Sequence, residues 1–187
     1  MSRKYTMWLC PPAGSPTRQA LESTIQGFSA SQGGPSFTPH VTLCSQIWAD
    51  DVQDVRGQVS AYIEKLRQHL SGDLTSIPIA IRALATGSGF YECVFLEVER
   101  SKRLAAARDI AIQHWDVKNP KPYRPHISLV YGNHSLEKLK DLATQVAAAL
   151  PAGLPTLSYD AAEICLSDET SGVCETWFLA GSVPFMK

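Results

Sequence analysis

The sequence predicts an α+β fold in which two similar halves enclose a shared cleft. Strand and helix signals follow the order β-α-β-α-β in the first half and β-α-β-α-β-β in the second. Leu9 precedes His40 by 31 residues, and Leu96 precedes His126 by 30, so the halves keep nearly the same spacing. This internal repeat, with almost no identity between the halves, is the main ground for predicting one pseudo-symmetric unit.

The length and the charge of the chain limit what the protein can be. Its 187 residues suit a single domain over 1–187, with lobes at roughly 1–88 and 89–187 and strand exchange allowed between them. Seventeen Lys and Arg against eighteen Asp and Glu give a net charge of −1. This disfavours a polyanionic partner bound through many phosphates, because such binding needs a cationic surface. No apolar run is long enough for a membrane span.

The pattern of the first half predicts three strands and two helices. Ser15 followed by Pro16 is typical of a helix N-terminus, and Asp50 with Gln53 resembles a capping box. Helical spacing of apolar residues supports both helices, and alternation supports the strands. In chain order these are a strand at 6–9, a helix carrying Leu21, Ile25 and Phe28, a strand at 40–48, a helix at 52–70 and a strand at 77–85.

The second half repeats the pattern after a turn at Gly87–Gly89. Ser101 and Ser135 are placed to cap its two helices. The predicted elements are a strand at 93–98, a helix carrying Leu104, Ala107, Ala111 and Trp115, a strand at 126–131, a helix carrying Leu139, Leu142, Val146 and Leu150, and strands at 158–166 and 175–182.

Two matched pentapeptides carry the chemical information. Residues 39–43 read Pro-His-Val-Thr-Leu, and residues 125–129 read Pro-His-Ile-Ser-Leu. Because side chains alternate along a strand, each histidine shares a face with the hydroxyl two residues later, and the apolar pair faces the other way. If a pseudo-twofold relates the lobes, the two polar pairs converge on one site.

Such a site suits in-line displacement at phosphorus. One imidazole can deprotonate water while the other protonates the leaving alkoxide near neutral pH. The two hydroxyls can hydrogen-bond the non-bridging phosphate oxygens, and charge-assisted bonds then favour the pentacoordinate state. A metal site is not expected, because the sequence holds no His-x-His or Cys-x-x-Cys pair.

The two motifs together resemble those of the two-histidine (2H) phosphoesterase superfamily. Trp-Leu-Cys-Pro at 8–11 and His-Ile-Ser-Leu-Val-Tyr-Gly at 126–132 are similar to the fungal and plant 2′,3′-cyclic-nucleotide phosphodiesterases, and the likeness covers essentially the whole chain. The resemblance implies a bilobal LigT-like fold. In it, two pseudo-symmetric lobes of antiparallel sheet carry helices on their outer faces and flank a central cleft.

The resemblance also implies an activity and residue roles. These relatives need no metal or cofactor, and open nucleoside 2′,3′-cyclic phosphates to nucleoside 2′-phosphates. They also open ADP-ribose 1″,2″-cyclic phosphate, a by-product of tRNA splicing, to ADP-ribose 1″-phosphate. By analogy His126 is the base and His40 the acid, Thr42 and Ser128 hold the phosphate, and Tyr131 binds near the substrate. Strand alternation speaks against Tyr131, because an odd offset of five from His126 turns it away in a regular strand, although a bulge or bend at Gly132 could re-aim it.

Two other functions stay open on the sequence alone. One is an RNA-end-processing or 2′-5′ phosphodiesterase of the same superfamily, and the other is a non-catalytic nucleotide-binding module. The expected partner is a small nucleotide bearing a cyclic phosphate, with no obligatory protein partner and a monomeric state. We expect a cytoplasmic location, with the Golgi association of some fungal relatives as the alternative.

The remaining conspicuous residues have ordinary interpretations. The five cysteines, at 10, 44, 93, 165 and 174, form no close pair and predict buried free thiols, without the loop-stapling pair of plant relatives. Trp8 and Trp48 suit a core, although they, like Phe90, Tyr91 and Tyr131, could stack a nucleobase. Lys118, Lys121 and Arg124 suit a solvated loop, or could steer an anionic substrate.

Overall fold

The computed structural model describes residues 2–70, 74–151, 153–171 and 177–186; Cys174 lies outside these ranges. The helices are α1 (Pro16–Gln32), α2 (Val52–His69), α3 (Lys102–His114) and α4 (Leu136–Ala149), and single 3-10 turns lie at Phe90–Glu92 and Leu154–Leu157. The strands are β1 (Arg3–Leu9), β2 (Val41–Ala49), β3 (Ile77–Ile79), β4 (Ile81–Thr86), β5 (Val94–Val98), β6 (His126–Val130), β7 (Tyr159–Ala161), β8 (Glu163–Asp168) and β9 (Phe178–Pro184).

Seven of these strands form one antiparallel sheet in the order β4-β5-β6-β2-β1-β8-β9, and β3 pairs with β7 separately. The C-terminal strands β8 and β9 continue the sheet beyond β1, whereas β4 from the first half borders β5. The predicted α+β class, with antiparallel strands and outer helices, is confirmed.

Two segments predicted as single strands are each divided between two sheets. The segment 77–85 breaks at Ala80, so β3 pairs with β7 while β4 pairs with β5. The segment 158–166 breaks at Ala162 in the same way, and only its second part joins the large sheet. Alternation of buried residues runs unchanged through Ala80 and shifts by only one residue at Ala162, which is why sequence periodicity did not reveal the breaks.

Serine residues begin three of the four helices. The hydroxyls of Ser15, Ser101 and Ser135 each accept a hydrogen bond from the backbone N–H three residues later, as the sequence predicts. At α2 the prediction is wrong by one residue, because Asp51 is the N-cap and Asp50 precedes it. Each such cap contributes about 1 kcal/mol to helix stability.

The helices cover one face of the large sheet and leave the other face open. Leu9, Val41, Leu96 and Ile127 are fully buried on the covered face. Helix α1 packs against β6 of the second half, and α3 packs against β2 of the first half, so each half covers the other. No described helix is both long and apolar enough to cross a membrane.

Candidate active site

The pairing of β2 with β6 places the two sequence motifs side by side. The strands are antiparallel, and Val41 lies opposite Ile127. This register sets His40 across from Ser128 and Thr42 across from His126. Directly opposed residues share a face of the sheet, so all four side chains project from the face that the helices leave open. The two histidines are diagonal neighbours, a relationship that typically separates Cα atoms by about 7–8 Å.

A cavity of about 490 Å³ opens above these residues. All five side chains predicted to form the site line it: His40, Thr42, His126, Ser128 and Tyr131. Further lining residues come from five other parts of the chain, and those that bear on the chemistry are Trp8, Tyr91, Arg108, Lys121, Arg124 and Trp177. The structure therefore brings the whole predicted site together in one cleft.

Both imidazoles are held in the same way. Nδ1 of His40 lies 2.6 Å from the carbonyl oxygen of Thr38, and Nδ1 of His126 lies 2.8 Å from that of Arg124. A carbonyl can only accept, so Nδ1 carries the proton in each ring and Nε2 is the nitrogen left for the cavity. The repeated contact to residue i−2 gives the two histidines equivalent orientations.

His40 is the more buried of the two histidines. Its side chain is 8% exposed, and its ring stacks on Trp8 with centroids 3.7 Å apart and an interplanar angle of 9°. Burial lowers the pKa of His40 to about 4, helped by the nearby charges of His126 and Arg18 and opposed by the Thr38 carbonyl. His40 is therefore neutral at pH 7 in this structure. The sequence predicts Trp8 in the core, and Trp8 is indeed buried. No pattern in the sequence indicated that its ring would stack on His40.

His126 sits in a more open setting. It is half-buried, and the ring of Phe95 meets it edge-on with centroids 5.3 Å apart. Phe95 lies on β5, opposite Ser128, on the same face of the sheet. The two matched histidines thus differ in solvation, one enclosed against an indole and the other reachable from solvent.

Ser128 and Thr42, the two hydroxyl-bearing residues of the motifs, make different hydrogen bonds. Ser128 donates a hydrogen bond of 2.6 Å to the carbonyl oxygen of Tyr91. A hydroxyl has one hydrogen, so Ser128 can donate to a phosphate only by releasing Tyr91. Thr42 is half-buried, and its carbonyl accepts a bond of 3.2 Å from the Tyr123 hydroxyl.

Tyr131 faces the cavity, contrary to the strand-alternation argument. Strand β6 ends at Val130, so the alternation that turned Tyr131 away no longer holds at its position. The pairing with β5 also shifts by one residue just before this point, since Ser128 lies opposite Phe95 and Val130 opposite Val94, and the N–H of Gly132 donates to the carbonyl of Phe90. The Tyr131 ring stacks on Phe37 with centroids 3.8 Å apart, which fixes its orientation.

Basic side chains line the wall above Thr42. Nη1 of Arg108, on α3, donates to the Leu43 carbonyl at 2.8 Å, and its guanidinium lies 5.4 Å from the centre of the Tyr123 ring. Lys121 and Arg124 line the same cavity. Their position therefore fits the alternative that they steer an anionic substrate better than a purely solvated loop. Sequence reasoning missed Arg108 and Tyr123, because no motif connects them to the histidines.

Cys10 and Cys165 lie together behind Trp8. The neighbouring Cys165 thiol and burial together raise the pKa of Cys10 well above its usual value. All four described cysteines are free and buried, as the sequence predicts. The scattered spacing in the sequence gave no indication of this pair.

Metal ligands do not cluster in the part of the chain that the structure describes. Across 2–70, 74–151, 153–171 and 177–186, no group of three or more His, Cys, Asp and Glu side chains is arranged to hold an ion.

The fold and the paired His-x-Thr and His-x-Ser motifs define the protein as a 2H phosphoesterase. E. coli LigT complexed with 3′-AMP superposes over the full length of both chains, with a TM-score of 0.60 and 12% identity. Kluyveromyces marxianus Usb1 gives a TM-score of 0.51 at 14% identity over 97% of this chain and 98% of that one. At these identities the likeness establishes the fold.

Within this class, the chain belongs to the family described as cyclic phosphodiesterase-like proteins, which it matches over residues 1–155. It is 26% identical over 180 residues to the cyclic phosphodiesterase of Arabidopsis thaliana, covering 92% of this chain and 90% of that protein. It is 27% identical over 140 residues to the 2′,3′-cyclic-nucleotide 3′-phosphodiesterase of Eremothecium gossypii, covering 68% of this chain and 65% of the fungal one, just under two thirds. The protein is a phosphodiesterase.

Proposed function

We propose that this protein hydrolyses nucleoside 2′,3′-cyclic phosphates to nucleoside 2′-phosphates by in-line attack of water. The observation that carries the proposal is the convergence of His40, Thr42, His126 and Ser128 on one cavity, with both imidazoles presenting Nε2. The names of the plant and fungal relatives support a cyclic phosphate as the substrate.

In the proposed step, His126 is the base and His40 is the acid. Nε2 of His126 removes a proton from water, the water oxygen bonds to phosphorus, and the bond from phosphorus to O3′ breaks. Nε2 of His40 gives its proton to O3′, so the proton taken at one ring is balanced by the proton given at the other. Thr42 and Ser128 hold the non-bridging oxygens, and Ser128 exchanges the Tyr91 carbonyl for the phosphate.

This assignment requires His40 to gain a proton when substrate binds. His40 is neutral at pH 7 in the structure because its pKa is about 4. A cyclic phosphate placed beside a buried ring favours the protonated form, because an opposite charge at short range raises the pKa of an imidazole. Substrate binding is therefore coupled to uptake of one proton in this proposal.

Arg108, Lys121 and Arg124 make the wall of the cavity cationic, which suits a substrate with one or two further phosphates. ADP-ribose 1″,2″-cyclic phosphate carries a pyrophosphate that such a wall can hold. We therefore include it in the proposed substrate range, with the same bond-breaking step at the cyclic phosphate.

The test is the rate of hydrolysis of adenosine 2′,3′-cyclic phosphate by the wild type, His40→Ala and His126→Ala. We expect each substitution to lower kcat/KM by roughly 100-fold or more, the usual scale for losing a general acid or base. Wild-type activity should persist in excess chelator, because the proposed chemistry uses only the two imidazoles. Circular dichroism of each variant checks that the fold is kept.

Near wild-type turnover by either histidine variant would contradict the proposal. An inert wild type that binds the cyclic nucleotide tightly and stoichiometrically would instead favour the non-catalytic binding module. Hydrolysis confined to RNA oligonucleotides would favour an RNA-end-processing enzyme of the same superfamily.

A further inference from the structure

The floor of the cavity continues beyond the histidines to a second polar group on β1. Lys4, Thr6 and Trp8 alternate along β1 and all line the cavity. A strand rises about 3.3 Å per residue, so Thr6 lies roughly 7 Å, and Lys4 roughly 13 Å, along the strand from Trp8. Trp8 is opposite Thr42, which places this polar group to one side of the proposed phosphate position.

Glu169 is the unexpected member of this group. It follows β8, lines the cavity and is only 6% exposed, and its N–H donates to the Lys4 carbonyl at 2.8 Å. Nζ of Lys4 lies 3.3 Å from Oε2 of Glu169, and the carboxylate has no other polar side-chain partner within the described ranges. A buried carboxylate repels phosphate, so binding the phosphate does not account for its presence.

Two hydroxyls beside the carboxylate have unused hydrogen-bonding capacity. Thr6 and Ser167 are paired across β1 and β8, and Thr6 is 2% exposed. Their oxygens are buried, and neither has a hydrogen-bond partner in the part of the chain that the structure describes. Buried polar groups are nearly always paired, and of these two residues Thr6 lines the cavity, so its hydroxyl is a candidate to pair with a bound ligand.

We propose that Glu169, with Thr6 beside it, is the subsite for the nucleobase and selects guanine. This inference rests on the proposed function and names the preferred substrate as guanosine 2′,3′-cyclic phosphate. Guanine is the one common base whose pairing edge offers two adjacent donors, N1–H and the N2 amino group. A carboxylate accepts both at once, whereas adenine, cytosine and uracil each turn an acceptor toward one of its oxygens.

The geometry of the site accommodates this contact. A carboxylate has about four acceptor positions, so Oε2 can keep Lys4 while both oxygens accept from the base. The rings of Tyr91 and Trp177 line the same cavity, with centroids 5.8 Å apart and planes 20° from parallel. Flat aromatic surfaces of this kind are suited to stacking on a purine.

The test compares kcat/KM for the guanosine and adenosine 2′,3′-cyclic phosphates in the wild type, Glu169→Gln and Thr6→Val. We expect the wild type to favour the guanosine substrate by about tenfold or more, the scale of one bidentate base contact. Glu169→Gln replaces an acceptor by a donor, so it should reduce the ratio to within about threefold of unity, mainly through a higher KM for guanosine. Thr6→Val keeps the shape of the side chain and should reduce the ratio partly.

Asp168→Asn is the matched control. Asp168 immediately precedes Glu169 in the sequence. Like Glu169 it is buried and pairs with a basic residue, Arg3, but it does not line the cavity. This variant should keep the wild-type ratio. Hydrolysis of both substrates at equal kcat/KM by the wild type, or a guanosine preference that survives Glu169→Gln, would overturn the inference and leave the proposed function intact. Hydrolysis of neither substrate would overturn the proposed function itself.

Discussion

His40 and His126 occupy equivalent positions in their motifs but lie in different surroundings. Each ring is oriented by a carbonyl two residues earlier, which a strand entered through Thr-Pro-His or Arg-Pro-His supplies. Only His40 is enclosed, because β1 brings Trp8 against its ring. The shared Pro-His pattern at the start of each strand therefore sets the tautomer, and tertiary packing sets which ring is desolvated.

The burial of His40 predicts how the stability of the protein responds to acid. Its pKa of about 4 lies below the unfolded value of 6.5, so between these two pH values the unfolded chain binds a proton that the folded protein excludes. Stability is then fully present above pH 6.5 and is lost as the pH falls toward 4. The loss amounts to roughly 2–3 kcal/mol.

Urea unfolding of the wild type and His40→Gln at pH 7 and pH 4 measures this contribution. The wild type should lose roughly 2–3 kcal/mol more than the variant over that interval, because glutamine does not titrate. Equal losses in the two proteins would show that His40 is not held in the neutral form.

At the residue scale the sequence predicted the four motif residues and little of what surrounds them. Two matched His-x-hydroxyl patterns are a strong signal because strand alternation alone brings each pair to one face. Glu169 and Arg108 carry no such pattern. They reach the cavity through pairing and packing between distant segments, which periodicity within a segment does not describe.

The 3-10 turn at Phe90–Glu92 is the element most directly linked to the phosphate position. Ser128 donates to the Tyr91 carbonyl, and the N–H of Gly132 donates to the Phe90 carbonyl, so β6 holds the turn at two points. A phosphate that takes the Ser128 hydroxyl releases one of them. In the proposed mechanism, substrate binding and the position of Tyr91 are therefore coupled through that hydroxyl.

Ser128→Ala tests this coupling. The variant loses the bond to Tyr91, and the amide proton of Gly132 should exchange with solvent faster, as measured by hydrogen exchange. Hydrolysis should also fall, by on the order of 10–1000-fold, because a phosphate ligand is lost.

Thr42→Val is the control for this experiment. Thr42 has no hydrogen bond to the turn, so this variant should lose activity on a similar scale and keep the Gly132 exchange rate of the wild type. Unchanged exchange in Ser128→Ala would show that the hydroxyl does not hold the turn.

At the scale of elements, the caps and helices were predictable and the shared strands were not. Serine followed by an amphipathic stretch identifies a helix start from local chemistry alone. The breaks at Ala80 and Ala162 depend on which sheet each half of the segment joins. That choice is made by partners far along the chain, which the pattern within the segment does not describe.

At the scale of the whole molecule, the cleft is positively charged although the protein as a whole is not. The protein has a net charge of −1, yet its cavity is lined by Lys4, Arg108, Lys121 and Arg124 against Glu92 and Glu169. Four basic and two acidic side chains give the lining a formal charge of +2. A small anion is attracted to such a site, whereas a long polyanion also meets the negative remainder of the surface.

The exchange of helices between the halves makes the cleft a product of the complete fold. Helix α1 packs against β6 and α3 against β2, so each motif strand is supported by a helix from the other half. The repeat in the sequence predicted two similar halves around a cleft. It did not predict this reciprocal packing, because the repeat describes element order and not which elements touch.

The most direct test of the account is the identity of the product. Phosphorus NMR of the wild-type reaction with adenosine and guanosine 2′,3′-cyclic phosphates shows which ester bond opens. Two fixed imidazoles acting on either side of one phosphate predict a single product, and the proposed function identifies it as the nucleoside 2′-phosphate. Formation of the 3′-phosphate, of a mixture of the two, or of no product at all would contradict the function proposed for this cleft.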